Sequence, residues 1–326
     1  MKKFIVGIDV SKDKLDFCIL MEQDHAVVRK GIIENNQKAI SEWLQSLSSI
    51  QHVFALEHTG HYGAMLTWLL SERNMCFYMI NPLELKKSLG IQRGKTDAVD
   101  AYRIASYSIG NKHRLKAHDL PTEKLRKIKV LMTARDRYVK ISVQLKNSLK
   151  SNQILNKTID IQGLIHEEKR QITSITEAIK EVEIQIIELI RSSEELNTSY
   201  QKITRVIGVG PITAVKCITE TDNFLKFPNA RKFSCYCGLA PFPYQSGSSI
   251  RGKSRTHYLR NKQLKSTLFK AASSAIQHDP QLKAYYQRKL KEGKHKLCSL
   301  NAVANKLVLR IFAVVKRNEP FVKLAA

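Results

Sequence analysis

The sequence predicts an α/β N-terminal domain over residues 1–115, a helical coiled-coil region over 116–199 and a mostly helical, basic C-terminal domain over 200–326. Three observations carry this division. Short apolar runs alternate with helical patterns in the first 110 residues, heptad-like spacing takes over in the middle, and positive charge accumulates in the last third.

In the first domain Phe4–Ile8 reads as a compact strand and Leu15–Leu20 as a second, with the polar Ser11–Lys14 between them as a hairpin turn. His52–Glu57 is a third strand that ends on a carboxylate. A helix around Gly63–Arg73 follows, then the strand Cys76–Ile80, closed by Asn81-Pro82. A hairpin followed by a strand–helix–strand unit suits a ribonuclease-H-like sheet better than a doubly wound nucleotide-binding fold.

In the middle region Ile172, Ile175, Ile179, Val182, Ile186 and Leu189 fall at alternating steps of three and four, with Glu and Lys between them. That is a heptad seam. Leu125, Ile128, Met132, Val139, Leu145 and Leu149 follow it less strictly in the preceding helix, and Asn152–Gly163 separates the two. An antiparallel helical hairpin and an oligomeric coiled coil both satisfy this pattern, as does a plain bundle without an assembly role. Beyond residue 200 the glycine turn Val206–Pro211 joins two helical patterns. In a helix–hairpin–helix element such a turn exposes backbone N–H groups to a DNA phosphate, which makes Gly208 and Gly210 candidate nucleic-acid contacts. A structural corner between helices is the plainer alternative.

Lys and Arg number 54 against 29 acidic residues, a formal charge of +25. Residues 201–326 alone hold 24 basic and 5 acidic side chains, a net of +19. A surplus of that size points to a polyanionic partner, and its location marks the C-terminal domain as the main footprint for phosphates. Met1-Lys2-Lys3 leads directly into the first strand, and no apolar run approaches the roughly 20 residues of a membrane span, so no membrane partner is expected. Six cysteines without disulfide-framework spacing suit a reducing, cytoplasmic setting, and Cys235 and Cys237 are expected to be packing residues rather than zinc ligands.

Asp9, in Gly7-Ile8-Asp9-Val10-Ser11, ends the first strand among apolar neighbours and needs a partner there. Glu57 ends the third strand, which would set it beside Asp9. Asp97 and Asp100 open a helix three residues apart and share one face. As single residues, Asp97 and Asp100 are what a helix N-terminus favours anyway. As an ordered set, the four carboxylates suit two divalent ions, Mg2+ with Mn2+ as a substitute, that clamp the attacking and leaving oxygens of a phosphodiester. The same Gly-Ile-Asp-Val-Ser also resembles the first phosphate loop of actin-like sugar kinases, but no second phosphate loop or adenosine-site glycine motif follows. Between Cys237 and Arg255, small residues and cations surround Ser246-Gly247. Arg251, Lys253 and Arg255 can bind a scissile phosphate, and Ser246 is either a nucleophile or part of a phosphate-binding loop.

Gly7-Ile-Asp-Val-Ser-Lys12, Glu57-His-Thr-Gly-His-Tyr62, Lys95-Thr-Asp-Ala-Val-Asp-Ala101, Gly208-Val-Gly-Pro211 and Gly238-Leu-Ala-Pro241 with the following Ser246-Gly247 stand in this order along nearly the whole chain. Together they resemble the DEDD transposases of insertion sequences, relatives of the Piv-type invertases and RNA-guided bridge recombinases. That resemblance implies a RuvC-like N-terminal domain with Asp9, Glu57, Asp97 and Asp100 as the metal-binding quartet. It implies Ser246 as a nucleophile that forms a transient phosphoserine link to DNA. It further implies a noncoding guide RNA and a homo-oligomer, from dimer to tetramer, whose two catalytic parts meet from different subunits. Ser248 and Ser249 compete with Ser246 for the nucleophile's role, and Arg255–Asn261 departs from the family's Lys-x-Gly-Asn stretch. Two other functions stay open at this point. One is a metal-dependent nuclease or Holliday-junction resolvase that uses water as nucleophile, and the other is a noncatalytic nucleic-acid-binding protein.

Overall fold

The computed structural model describes residues 3–58, 60–88, 90, 96–246 and 250–317, with the backbone alone at 244, 246, 250, 251 and 253. The chain divides between Leu120 and Pro121 into two compact units.

In the first unit β1 (Phe4–Val10) and β2 (Lys14–Met21) form the expected hairpin. A strand the sequence did not reveal, β3 (Val27–Glu34), pairs antiparallel with β2 at the sheet edge. Most of its side chains are exposed, so no apolar alternation marks it. Next come α1 (Gln37–Gln45), β4 (His52–Glu57), α2 (Ala64–Glu72), β5 (Phe77–Ile80), α3 (Pro82–Ser88) and α4 (Asp97–Gly110). The strand order is β3-β2-β1-β4-β5, with β1 parallel to β4 and β4 parallel to β5. The hairpin and the strand–helix–strand unit behind the ribonuclease-H-like expectation therefore lie in one mixed sheet.

The period of two sorts the strands between two cores. Val6, Ile8 and Val10, with Leu15, Phe17, Phe54 and Leu56, pack with Ile40 and Trp43 of α1 and Leu66 and Leu70 of α2. The intervening Ile5, Cys18, Leu20 and Ala55 face Ala101, Ile104 and Ala105 of α4. Gly7 lies in that second set. A Cβ on it would stand 2.2 Å from the Ala101 carbonyl oxygen and 2.5 Å from the Ala105 nitrogen. The absence of a side chain thus lets α4 rest its backbone on β1.

The second unit opens with two long helices, α5 (Glu123–Leu155) and α6 (Gln162–Arg191). Arg135 donates to Glu183 (2.7 Å) and Ser148 to Glu168 (2.6 Å), so the two run antiparallel. Ile186 and Ile190 are buried, while Ile172, Ile175, Ile179, Val182 and Leu189 are half-buried along the seam. The helix ends nearer Leu125 and Ile190 share one core with the C-terminal helices, through Leu125, Ile128, Met132, Ile186 and Ile190.

That core is completed by α7 (Glu194–Thr204), α8 (Pro211–Glu220), α9 (Ala230–Tyr236), α10 (Lys262–His278), α11 (Pro280–Lys291) and α12 (Lys296–Lys316). The length and composition of α12 would suit a membrane crossing. Its Val303, Leu307, Val308, Ile311 and Phe312 are instead buried among the other helices. Cys217 and Cys237 are packed in the same core, and burial pushes both thiols up, that of Cys217 to about 12. The mostly helical expectation holds for this unit, with one addition. Between α9 and α10 the chain forms an antiparallel ribbon, β6 (Phe242–Ser246) and β7 (Ile250–Arg255). Its Ser, Gly and Pro residues hide the alternation that would announce strands.

Candidate active site

The rule that sorts the cores also places the carboxylates. Asp9 follows Ile5 and Gly7 on the α4 face of β1, and Glu57 follows Ala55 on β4, one residue beyond the Ile8–Leu56 pairing. Asp97 and Asp100 occupy the first turn of α4, which Thr96 caps by accepting from the Val99 N–H (3.3 Å). The close seat at Gly7 brings that turn to the end of β1. The four expected residues therefore gather at one end of the sheet.

A fifth carboxylate, Asp16, is the Cα partner of Asp9 across the hairpin and is buried. Burial and the like charges of Asp97, Asp100, Glu57 and Asp16 raise the Asp9 carboxyl to about 6. Lys14 enters the cluster as a cation. Its Nζ lies 2.8 Å from Asp97 Oδ2 and 3.0 Å from Asp16 Oδ2. These two carboxylates, Asp97 first, hold the ammonium above its ordinary range. Asp100 accepts from Arg103 Nη1 at 2.9 Å.

The all-oxygen donor set suits a hard divalent cation, and mutual repulsion among the carboxylates favours one. The side chains do not converge into a coordination shell: among the described residues no three such groups stand at metal-holding distances. Lys14 and Arg103 supply the positive charge instead. Sequence reasoning assigned Lys14 to a turn and passed over Asp16. An acid in an otherwise apolar strand, level with Asp9 in a short hairpin, was the available signal.

The serine segment lies in the second unit. Ser246 is the last residue of β6, paired with Ile250, and residues 247–249, including Ser248 and Ser249, lie outside the described residues. Arg251, Lys253 and Arg255 alternate along β7, and Arg255 is exposed. The segment leading into the ribbon is anchored on two sides. Lys265 Nζ donates to the Gly238 carbonyl (2.8 Å) and Asn301 Nδ2 to the Leu239 carbonyl (2.7 Å). Gly238 has φ +69°, and the Arg260 side chain occupies the space a Cβ would need.

The turn Val206–Pro211 joins α7 to α8. Gly208 has φ +90°, and its missing Cβ would meet Ala275 Cβ at 2.6 Å, so it serves the packing of α10. Gly210 is exposed, with open space where its Cβ would be, and it is the N-cap of α8. Gly208 itself is half-buried.

Two transposase family models match this chain. A DEDD transposase domain of the IS110 type covers residues 6–158, and the IS116/IS110/IS902 transposase family covers residues 200–287. The chain belongs to the IS110 family of transposases. Members of this family are DNA strand-exchange enzymes. The four carboxylates fall in the first matched region, and Ser246, Gly208 and Gly210 in the second.

Over 334 aligned residues this IS110-family chain is 28% identical to the pilin gene-inverting proteins of Moraxella bovis and Moraxella lacunata, covering 99% of each chain. It is 31% identical to an insertion element IS110 protein of 43.6 kDa from Streptomyces coelicolor over 147 residues, 44% of this chain and 35% of that one. Among solved structures, T. thermophilus RuvC in complex with a Holliday junction substrate matches 36% of this chain and 99% of its own, at 11% identity and a TM-score of 0.28.

Proposed function

We propose that this transposase cuts and exchanges DNA strands with a site made of two parts, the carboxylates of the N-terminal unit and Ser246 of the ribbon. The observation that carries the reading is the gathering of Asp9, Glu57, Asp97 and Asp100 closely enough for each of the others to raise the Asp9 carboxyl. In this reading the quartet holds divalent metal, Mg2+ or Mn2+, which when bound supplies Lewis-acid stabilisation to the phosphodiester oxygens. The Ser246 hydroxyl attacks phosphorus: an Oγ–P bond forms, one P–O bond of the strand breaks, and the proton lost from the serine ends on the departing strand oxygen as a hydroxyl. Attack by a strand hydroxyl on that phosphoserine ester reverses the exchange of bonds at a new junction. Bond energy is conserved, so no nucleotide triphosphate is required. Arg251, Lys253 and Arg255 bind the phosphate and offset the charge that develops on it. The α7–α8 turn, through Gly210, offers backbone N–H groups to DNA in the manner of a helix–hairpin–helix element. The guide RNA, the homo-oligomer in which the two parts meet and the cytoplasmic setting complete the reading by family resemblance.

Incubating the protein with DNA carrying the flanks of its element and Mg2+, then denaturing, tests the serine's role. Ser246→Ala abolishes the denaturation-resistant protein–DNA adduct, while Ser248→Ala and Ser249→Ala retain it. Adducts that survive in Ser246→Ala refute the assignment. Cleavage without adducts in the unaltered protein would favour water as nucleophile, as in a resolvase.

A further inference from the structure

Away from the ribbon and the glycine turn, a cleft of about 670 Å³ opens between α5, α8, the start of α10 and the turn after α8. Met132, Ile141 and Leu264 give it an apolar floor, and the exposed Gln144 and Gln263 line its edge. Five cations and two carboxylates, Asp136 and Glu220, line it. Two of the cations are neutralised within the protein, Lys129 by Asp222 and Lys216 by Asp136, at 2.7 Å in the second case. The other three, Arg137, Lys140 and Lys226, are exposed and have no carboxylate partner among the described residues.

The turn that carries Lys226 is built at a conformational cost. Asp222, Asn223 and Phe224 adopt φ of +49°, +51° and +68°, three successive non-glycine residues in the left-handed region. The segment is held there by several contacts. The Phe224 N–H donates to Thr221 Oγ1 (2.9 Å), Asn223 Nδ2 donates to Glu195 (2.7 Å), and the Phe224 ring packs edge-on against Phe312. Lys226 Nζ then lies 5.7 Å from the Tyr236 ring centre and 5.8 Å from that of Phe227. The Tyr236 hydroxyl is itself fixed, donating to Glu220 (2.6 Å) and accepting from Asn261 (3.2 Å).

The size of the cleft limits what can enter. Its volume matches pockets that hold small organic groups, of about 300–1,000 Å³, and is too small for a duplex. An unpaired nucleotide brings the three chemistries the cleft answers: an apolar ring face, hydrogen-bonding edges and flanking phosphates. We propose that this cleft binds an unpaired nucleic-acid strand, seating a base over Met132, Ile141 and Leu264. Gln144 and Gln263 face the base edges, and Arg137, Lys140 and Lys226 take the adjoining phosphates. The site is distinct from the strand-exchange residues and does not rest on their assignment.

Fluorescence anisotropy of the full-length protein with short labelled single-stranded DNA, single-stranded RNA and duplex DNA, over a series of salt concentrations, tests it without reading catalysis. Arg137→Gln/Lys140→Gln weakens single-strand binding by about tenfold, through loss of two charge-assisted contacts. It also lowers the slope of log affinity against log salt by about 1.4, at ~0.7 per phosphate of a single strand. Duplex binding is unchanged, and Lys157→Gln/Lys169→Gln, with the same change of charge, alters neither. A larger loss with RNA assigns the occupant to RNA, and a larger loss with DNA to a displaced DNA strand. Unchanged single-strand affinity, or an equal loss with duplex, overturns the proposal. Should the double variant unfold, photo-crosslinking of a halogenated or thiolated single strand to the unaltered protein decides. Crosslinks within residues 132–144 uphold the cleft, and their absence rejects it.

Discussion

At Lys14 the first unit places an ammonium among five carboxylates, 2.8 Å from Asp97 and 3.0 Å from Asp16. Replacing it with Met removes a charge that offsets their repulsion. Lys14→Met is expected to lower the thermal midpoint in chelator, and added Mg2+ or Mn2+ to recover more of the midpoint than in the unaltered protein, as scanning fluorimetry would record. Asp9 gives a second expectation. Its folded-state pKa of about 6 exceeds the reference of 3.8, so the folded chain keeps a proton that the unfolded chain releases. This group's contribution to stability is complete below the reference pKa and is lost as pH rises from about 4 to about 6. In chelator, Asp9→Asn should flatten that part of the stability–pH curve; an unaltered slope would contradict the cluster. The quartet was legible because each member ends a strand or opens a helix. Asp16 and Lys14 were not, since pairing across a hairpin shows only once the register is known.

Helix α4 and the glycine turn let the same substitution be tried in different surroundings. Gly7→Ala drives a Cβ into the backbone of α4 and should cost about 1–3 kcal/mol, seen as a lower denaturant midpoint and faster amide exchange across residues 97–110. Gly208→Ala faces both φ +90° and Ala275, and it should destabilise the second unit. Gly210→Ala meets open space at φ −83°, so the fold should tolerate it, while DNA affinity falls if the α8 N-terminus touches phosphate. Unchanged affinity there would remove the turn from the DNA interface. Strands β1, β2, β4 and β5 were readable because their apolar residues line buried cores. β3 escaped notice because most of its side chains are exposed, and the β6–β7 ribbon because turn-forming residues dominate it.

For the whole molecule the charge of +25 sets the behaviour with nucleic acid. Affinity for any duplex should fall steeply between low and physiological salt, because counterions released on binding gain less entropy in a saltier solution, and a flat dependence would contradict the basic footprint. The uneven distribution of that charge was visible in the sequence, but the cleft between α5 and α8 was not. Its residues come from positions 129–144, 216–226 and 261–264, which only the packing of three helices brings together. The helices that carry the heptad pattern, α5 and α6, pair antiparallel, with most of the seam half-buried. Ile154, Ile159 and Leu164 remain exposed near the connection between them, at 68%, 61% and 50%.

The contact at Gly7 has a bearing on how finely the carboxylate spacing is set. Where two elements meet through side chains, their separation can drift as the core repacks, by a methyl group here or a rotamer there. At Gly7 the backbone of α4 rests on that of β1 with no side chain between them, so this point of an interface otherwise filled by Ile5, Ala101 and Ile104 has no adjustable filling. Gly7 works as a mechanical stop. Core substitutions elsewhere in the first unit can change how firmly the sheet holds together while leaving that point of contact untouched.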